Sequence, residues 1–163
     1  MPSKNTVLVN VHEELPPAGI ARSPQSSVDS TPLWLILLHE TWRWTGDTAL
    51  VRELLPNAER ALEWIDRYGD RDGDGFVEYS RHVDSRLANQ SWKDSHDSQR
   101  FSDGRTAEPP IAACEVQGYV YDAKIRAAEL AREVWRDRAL AERLEREAEE
   151  LRERFNEAFW TDE

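Results

Sequence analysis

Residues 29–46 read DSTPLWLILLHETWRWTG, and this stretch decides the fold class. Its apolar residues do not alternate as they do in a strand, a proline falls in the first turn, and Gly46 follows the last turn. Proline suits the start of a helix, and glycine commonly ends one. The stretch predicts an α-helix from near Asp29 to about Thr45. Because its start is apolar all round, we expect this helix to be buried on several sides.

Three further regions show the apolar spacing of helices. In the second helical region of the chain, Asp47 is expected to cap the helix, Pro56 to interrupt it and Gly69 to end it. The third region starts near residue 108 and continues past residue 134, and the fourth carries an apolar stripe that ends at residue 159. The predicted class is all-α, with helices in antiparallel pairs and long polar loops gathered at one end.

The loop between the second and third helical regions, residues 70–105, is long for a compact domain. Residues 76–79 within it are the one suggestion of a short strand. Residues 1–26 are rich in proline and serine and are expected to be irregular, which leaves a single domain from residue 27 to residue 163.

The composition limits the classes of partner. A net charge of −11 disfavours nucleic acid and anionic membrane surfaces, since both select basic proteins. The single cysteine rules out an intrachain disulfide and fits a reducing compartment. The start of the chain lacks the long apolar run of a secretory signal, and no run is long enough to span a bilayer. These features predict a cytoplasmic protein.

An acidic loop after the second helical region resembles the start of a calcium-binding loop. Asp70, Asp72 and Asp74 stand at its first, third and fifth positions, and a glycine stands at the sixth. The twelfth position holds an arginine where calcium loops carry a glutamate, so Glu78 at the ninth is the candidate fourth ligand. The alternative is a plain acidic turn. If calcium binds here, we expect it to brace the loop and not to do chemistry.

Residues 87–98, LANQSWKDSHDS, have neither helical nor strand periodicity. They combine two carboxylates, a tryptophan, a lysine, a histidine and two amides. An indole stacks on a sugar face, amides and lysine bind hydroxyls, and a carboxyl group transfers a proton, so this set suits a carbohydrate site. The alternative is a solvated loop anchored by its tryptophan.

The start of the third helical region supplies further candidates. Glu115 and Tyr119 are four residues apart and share a helix face that can point towards the same space as residues 87–98. Cys114 lies on an apolar stripe and is expected to be buried. Asp29, at the start of the first helix, is most simply a cap or an Asx turn.

Four runs together resemble a known family: SVDSTPL (27–33), DRDGDGFVEY (70–79), residues 87–98 and AEPPIAACEVQGYVY (107–121). The resemblance is to the catalytic domain of bacterial glycogen-debranching (amylo-α-1,6-glucosidase-like) proteins. These group with mannosylglycerate-hydrolase-like enzymes among the six-hairpin glycosidases. The resemblance extends from about residue 27 to residue 160.

The resemblance implies part of an (α/α)6 barrel of twelve helices, with an oligosaccharide bound where the long loops gather. It implies inverting hydrolysis of an α-glucosidic bond without a required cofactor. Asp94 would be the general acid and Trp92 would line the sugar subsite, while Lys93, Asp97 and Gln117 would bind hydroxyls or orient the acid. We count Asp29, Glu115 and Tyr119 with them as candidate substrate-binding residues.

A general acid needs a raised pKa, and Trp92 and Asp97 are the neighbours expected to raise that of Asp94. Inversion also needs a second carboxylate about 6.5–9.5 Å away. The family places this base beyond residue 163, so we expect little hydrolysis by these residues alone. The rest of the barrel or a partner chain would complete the site. The alternative is a non-catalytic helical module that binds a sugar or a cation, or assembles with a partner helix pair.

Overall fold

The computed structural model describes residues 27–80 and 89–160. These residues form five α-helices and no strand. Short π-helical turns, Ile65–Gly69 and Ala131–Trp135, extend the third and fourth helices. The helices are α1 Ser30–Thr45, α2 Thr48–Glu53, α3 Leu55–Trp64, α4 Cys114–Leu130 and α5 Arg138–Phe159. The all-α prediction is therefore confirmed for the described part of the chain.

The end of α1 and the start of α2 follow the sequence signals. Gly46 adopts a left-handed conformation, with φ of 70°, and its N–H donates to the Trp42 carbonyl at 2.8 Å. The Asp47 carboxylate accepts hydrogen bonds from the backbone N–H groups of Ala49 and Leu50 at 3.1 and 3.0 Å. It caps α2 as predicted, and Pro56 lies in the first turn of α3, where the helical run is broken.

The start of α4 was predicted wrongly. The helix begins at Cys114 and not near residue 108, because Ile111 pairs its backbone with Tyr79 in an antiparallel bridge. The two N–H···O distances of this bridge are 3.2 and 3.0 Å. The strand predicted over residues 76–79 reduces to this isolated bridge. Cys114 is exposed at the first helical position, so the expectation that it is buried was also wrong.

Ion pairs show how the long helices run. Glu40 of α1 pairs with Arg126 of α4, and three residues further along both helices Arg43 pairs with Glu129. Helices α1 and α4 are therefore parallel. Helices α4 and α5 are antiparallel, since the pairs Arg132–Glu145 and Lys124–Glu147 step in opposite directions along the two helices. The structure is thus two successive helical hairpins whose first helices lie side by side, with α4 packed against both α1 and α5.

About half of α4 is buried, eight of its 17 residues, whereas α1 buries one face only. Leu35 and Leu38 belong to the core, and His39 is buried where its Nε2 lies 2.8 Å from a carboxylate oxygen of Glu129. Leu37 and Trp44 are exposed on the opposite side of α1. The prediction that α1 is buried on several sides was therefore wrong, because no described element covers this side.

The predicted boundary of the irregular segment 1–26 lies outside the described residues. None of the described helices combines the length and the apolar character needed to cross a membrane. Membership of a twelve-helix barrel stays a prediction, since the described residues supply two helical hairpins.

Candidate functional site

The candidate loop has a buried base and an exposed tip. Asn89 and Ser91 are buried, whereas Trp92 is 61% exposed and Asp94 is also exposed. The first two residues of the sequence motif, Leu87 and Ala88, lie outside the described residues. The indole is thus held at the surface by a backbone that is itself fixed in the protein, which is the geometry of a stacking platform.

The loop lies across the N-terminal ends of the two parallel helices. Near the start of α1, the Val28 N–H and the Ser27 hydroxyl both donate to the Gln90 carbonyl, at 2.7 and 2.9 Å. At the start of α4, the Lys93 ammonium pairs with the Glu115 carboxylate. The sequence predicted that residues 87–98 and the first turn of α4 face the same space, and the Lys93–Glu115 pair brings them together.

The pair shifts the pKa of both partners. The hydrogen bond that Lys93 donates to Glu115 raises the pKa of Lys93, against a smaller lowering by burial. Partial burial raises the pKa of Glu115, but the hydrogen bond from Lys93, with help from backbone and Cys114 donors, outweighs it and leaves the pKa below its usual value. Lys93 and Glu115 are therefore both charged across the neutral range, and the Lys93 ammonium lies 5.7 Å from the centroid of the Trp92 ring.

The two aspartates of the tip differ in their surroundings. Asp94 is exposed, so the described residues do not enclose it in the apolar wall that the sequence predicted for a proton donor. Asp97 accepts a hydrogen bond from the Arg100 guanidinium at 2.8 Å, and the His96 ring lies 4.0 Å from it. Asp97 is thus partly neutralised by Arg100.

Gln117 is 1% exposed, and its amide is occupied by backbone groups. Its Oε1 accepts from the Val77 N–H at 2.9 Å, and its Nε2 donates to the carbonyls of Val77 and Ala113 at 2.7 and 3.0 Å. This arrangement favours a role in holding residues 77–79 against α4 over contact with a sugar. Tyr119, one turn after Glu115, is partly exposed.

Asp29 stands at the N-cap position of α1 and is buried, but its side chain makes no capping hydrogen bond. The expectation that the Asp29 side chain caps α1 was therefore wrong. Its position two residues after Ser27 places it close to the base of the loop, because Ser27 and Val28 are bonded to Gln90.

Two residues that sequence reasoning did not select complete the loop. The buried Tyr79 hydroxyl donates to the Asn89 side-chain oxygen at 2.8 Å, and burial raises the pKa of Tyr79 to about 12. The Asn89 amide nitrogen donates in turn to the Ser95 carbonyl at 2.6 Å. Asn89 stood inside the chosen motif, but its contact with a residue ten positions earlier has no signal in the local sequence.

The acidic loop brings its carboxylates together. Asp70, Asp72 and Asp74 each offer an oxygen within 4.8 Å of the others. Asp70 also accepts from the backbone N–H groups of Gly73 and Gly75, at 2.8 and 2.9 Å, and both glycines have positive φ, 78° and 89°. These backbone bonds form a tight turn with or without an ion.

Glu78 is 5% exposed beside this cluster. Burial, followed by the negative charges of Asp72 and Asp74, raises the pKa of Glu78 to about 7. Burial also raises the pKa of Asp74. The oxygens of Asp70, Asp72 and Asp74 therefore converge, and the charges of these residues reach Glu78. Calcium at this position stays a prediction. The twelfth position, Arg81, lies outside the described residues.

Comparison with known proteins adds no assignment. No protein-family model matches the chain, and no curated protein matches it.

Proposed function

We propose that this chain forms the sugar-binding and acid-bearing part of an inverting glycoside hydrolase of the glycogen-debranching type. One observation carries the proposal. The Trp92–Asp97 tip lies across the N-terminal ends of two parallel helices and is fixed there by the Val28–Gln90 bond and the Lys93–Glu115 pair. Two hairpins with adjacent parallel first helices are what one section of an (α/α)6 barrel would contain.

The proposal assigns a role to each side chain at the tip. Trp92 stacks on a sugar ring, because most of its side chain is exposed at the tip of the loop. Lys93 and Glu115 form a charged pair at the edge of that platform, where sugar hydroxyls can bond to either. Asp94 is the proton donor to the glycosidic oxygen, and a sugar seated on Trp92 would remove it from the solvent that surrounds it now.

The same proposal gives the acidic loop a supporting role. A calcium ion held by the oxygens of Asp70, Asp72 and Asp74, with Glu78 as a fourth candidate ligand, would offset the negative charges gathered in this turn. The turn is continuous with Tyr79, whose hydroxyl reaches the base of the sugar loop. An ion here would brace the loop, and the chemistry would need no cofactor.

Binding is the decisive measurement. We expect calorimetric titration of the chain with α-1,6- and α-1,4-linked gluco-oligosaccharides to show binding that Trp92→Ala abolishes. Trp44→Ala is the matched control, since Trp44 is an exposed tryptophan at the far end of α1, and it should bind normally. If neither oligosaccharide binds, or if both variants lose binding equally, the proposal is wrong.

Turnover tests the assignment of the acid. Any sugar that the chain, alone or with the remaining helices of a barrel, releases should first appear with inverted anomeric configuration, and Asp94→Asn should stop release while leaving binding within about threefold. Binding that depends on Trp92 without release under either condition would instead support a non-catalytic sugar-binding module. Release with retention of configuration would contradict the inverting mechanism.

A further inference from the structure

Asn89 lies where the exposed tip meets the protein interior. It is 3% exposed, and its side-chain amide makes bonds in two directions. Towards the interior, its oxygen accepts from the Tyr79 hydroxyl at 2.8 Å. Towards the tip, its nitrogen donates to the Ser95 carbonyl at 2.6 Å and to the Ser98 hydroxyl oxygen at 3.1 Å. Only a side-chain amide makes all three of these bonds, because it combines an acceptor oxygen with two N–H donors.

The bonds on the tip side close the loop into a ring. The Ser98 hydroxyl lies within donating distance of the Lys93 and Ser95 carbonyls, at 2.7 and 2.8 Å, and the Ser98 N–H donates to the Ser95 carbonyl at 3.0 Å. The backbone from Lys93 to Ser98 is therefore gathered around one side chain. Asp94 and Asp97 lie within this ring, and Trp92 immediately precedes it.

The bond on the interior side has a rigid partner. Tyr79 is 1% exposed, and its backbone is paired in both directions with Ile111. Two residues earlier, Val77 is bonded to the Gln117 amide of α4. The position of Asn89 is thus fixed relative to α4, the helix that also carries the Glu115 partner of Lys93.

We propose that Asn89 is the positioning residue of the Trp92–Asp97 tip. Its hydrogen bonds hold the backbone ring that carries Asp94 and follows Trp92 in a fixed position relative to Tyr79. The sugar-binding consequence rests on the proposed function, whereas the effect on the ring does not. Asn89 contacts neither sugar nor proton, and it acts by limiting the conformations of the ring before the ligand arrives.

The decisive variant is Asn89→Asp, which keeps the size of the side chain and removes both N–H donors. Tyr79→Phe is a second variant that removes only the interior bond and keeps the buried ring. Leu144→Val, in the core of α5, is the matched control for lost stability without a change at the loop. Each variant is measured by amide hydrogen exchange under native conditions and by the Kd for the oligosaccharide that wild type binds.

We expect the Ser98 amide to exchange about tenfold faster in Asn89→Asp and about threefold faster in Tyr79→Phe, with α5 amides less affected. Leu144→Val should accelerate the α5 amides without a selective change at Ser98. If wild type binds an oligosaccharide, its affinity should fall about tenfold in Asn89→Asp and stay unchanged in Leu144→Val.

The outcomes separate the two proposals. An unchanged Ser98 exchange rate in Asn89→Asp, or in Tyr79→Phe should the first variant not fold, overturns the positioning role whatever the sugar data show. Faster exchange with unchanged affinity also overturns it. Selective loosening of the ring in a chain whose wild type binds no sugar supports the structural role of Asn89 and overturns the proposed function instead.

Discussion

The side-chain amide of Gln117 pairs with the backbone of Val77 through two hydrogen bonds, 2.9 Å at the N–H and 2.7 Å at the carbonyl. A helix side chain thus takes the place of a neighbouring strand for an extended segment. Both partners are buried, so these bonds have no solvent to replace them.

We expect Gln117→Leu to lower the free energy of unfolding by about 2–4 kcal/mol, because it leaves both backbone groups of Val77 buried and unpaired. Urea denaturation measures the change. Asn57→Ala removes an exposed amide from α3 and should change stability by less than about 0.5 kcal/mol. A Gln117→Leu protein as stable as wild type would show that Val77 finds other partners.

The Lys93–Glu115 pair should matter more for ligand binding than for stability. Both side chains are partly exposed, so Lys93→Met is expected to cost less than about 1 kcal/mol of folding free energy. The affinity for oligosaccharide should nevertheless fall, since the tip loses its link to α4. A double-mutant cycle with Glu115→Gln measures the coupling, and additive losses of affinity would show that the two side chains act separately.

Glu78 should make the protein less stable as the pH rises. Its pKa is about 7 in the folded chain against 4.5 as its ordinary value, so the folded state binds the proton more tightly. The stabilisation is fully present below about pH 4.5 and is lost as the pH passes 7, by at most about 3 kcal/mol. Glu78→Gln should flatten this part of the stability profile, whereas Glu142→Gln, on the exposed side of α5, should not.

If the acidic loop binds calcium, the ion should oppose the loss of stability that rising pH causes through Glu78, because a cation favours the ionised form of this side chain. We therefore expect saturating calcium to raise the melting temperature more at pH 8 than at pH 5, and Asp72→Asn to remove the difference. Equal melting temperatures with calcium and with a chelator at pH 8 would leave the loop as a plain acidic turn.

The buried ammonium of Lys124 should be essential for stability. It bonds to Asp66 at 2.7 Å and to Glu147 at 2.8 Å and joins three segments of the chain. We expect Lys124→Met to lower the free energy of unfolding by about 2 kcal/mol, because Asp66 and Glu147 lose the closer of two counter-charges and keep only Arg143. Arg138→Met breaks the exposed pair with Glu142 and should cost less than about 1 kcal/mol in the same thermal unfolding assay.

The helices were predictable where local signals set their ends. Gly46 ends α1 and Asp47 caps α2 through contacts with residues two to four positions away, so the sequence alone shows them. The start of α4 was not predictable in this way. It depends on the pairing of Ile111 with Tyr79, which is 32 residues distant, and no local pattern reports a bond of that range.

The candidate site was predictable in its composition more than in its contacts. The motif around Trp92 and the first turn of α4 were selected together, and the Lys93–Glu115 pair joins them. Gln117 was selected through the family resemblance, as a residue that binds hydroxyls or orients the acid, but the Val77 backbone occupies its amide. The structural role of Asn89 was missed, because nothing in the sequence of a polar, exposed motif shows that one of its side chains is buried.

Cys114 gives this chain a built-in attachment point for a reporter group. It is the sole thiol among the 163 residues, it is exposed, and it adjoins the carboxylate that holds Lys93. Although the residue is exposed, its sulfur is partly buried, and this burial, followed by the hydrogen bond to Glu115, raises the pKa of the thiol. Labelling with a maleimide fluorophore will therefore be slow at neutral pH and faster in mild alkali. A dye attached there would report in real time whether the proposed oligosaccharide ligand binds beside it, on an otherwise unaltered protein.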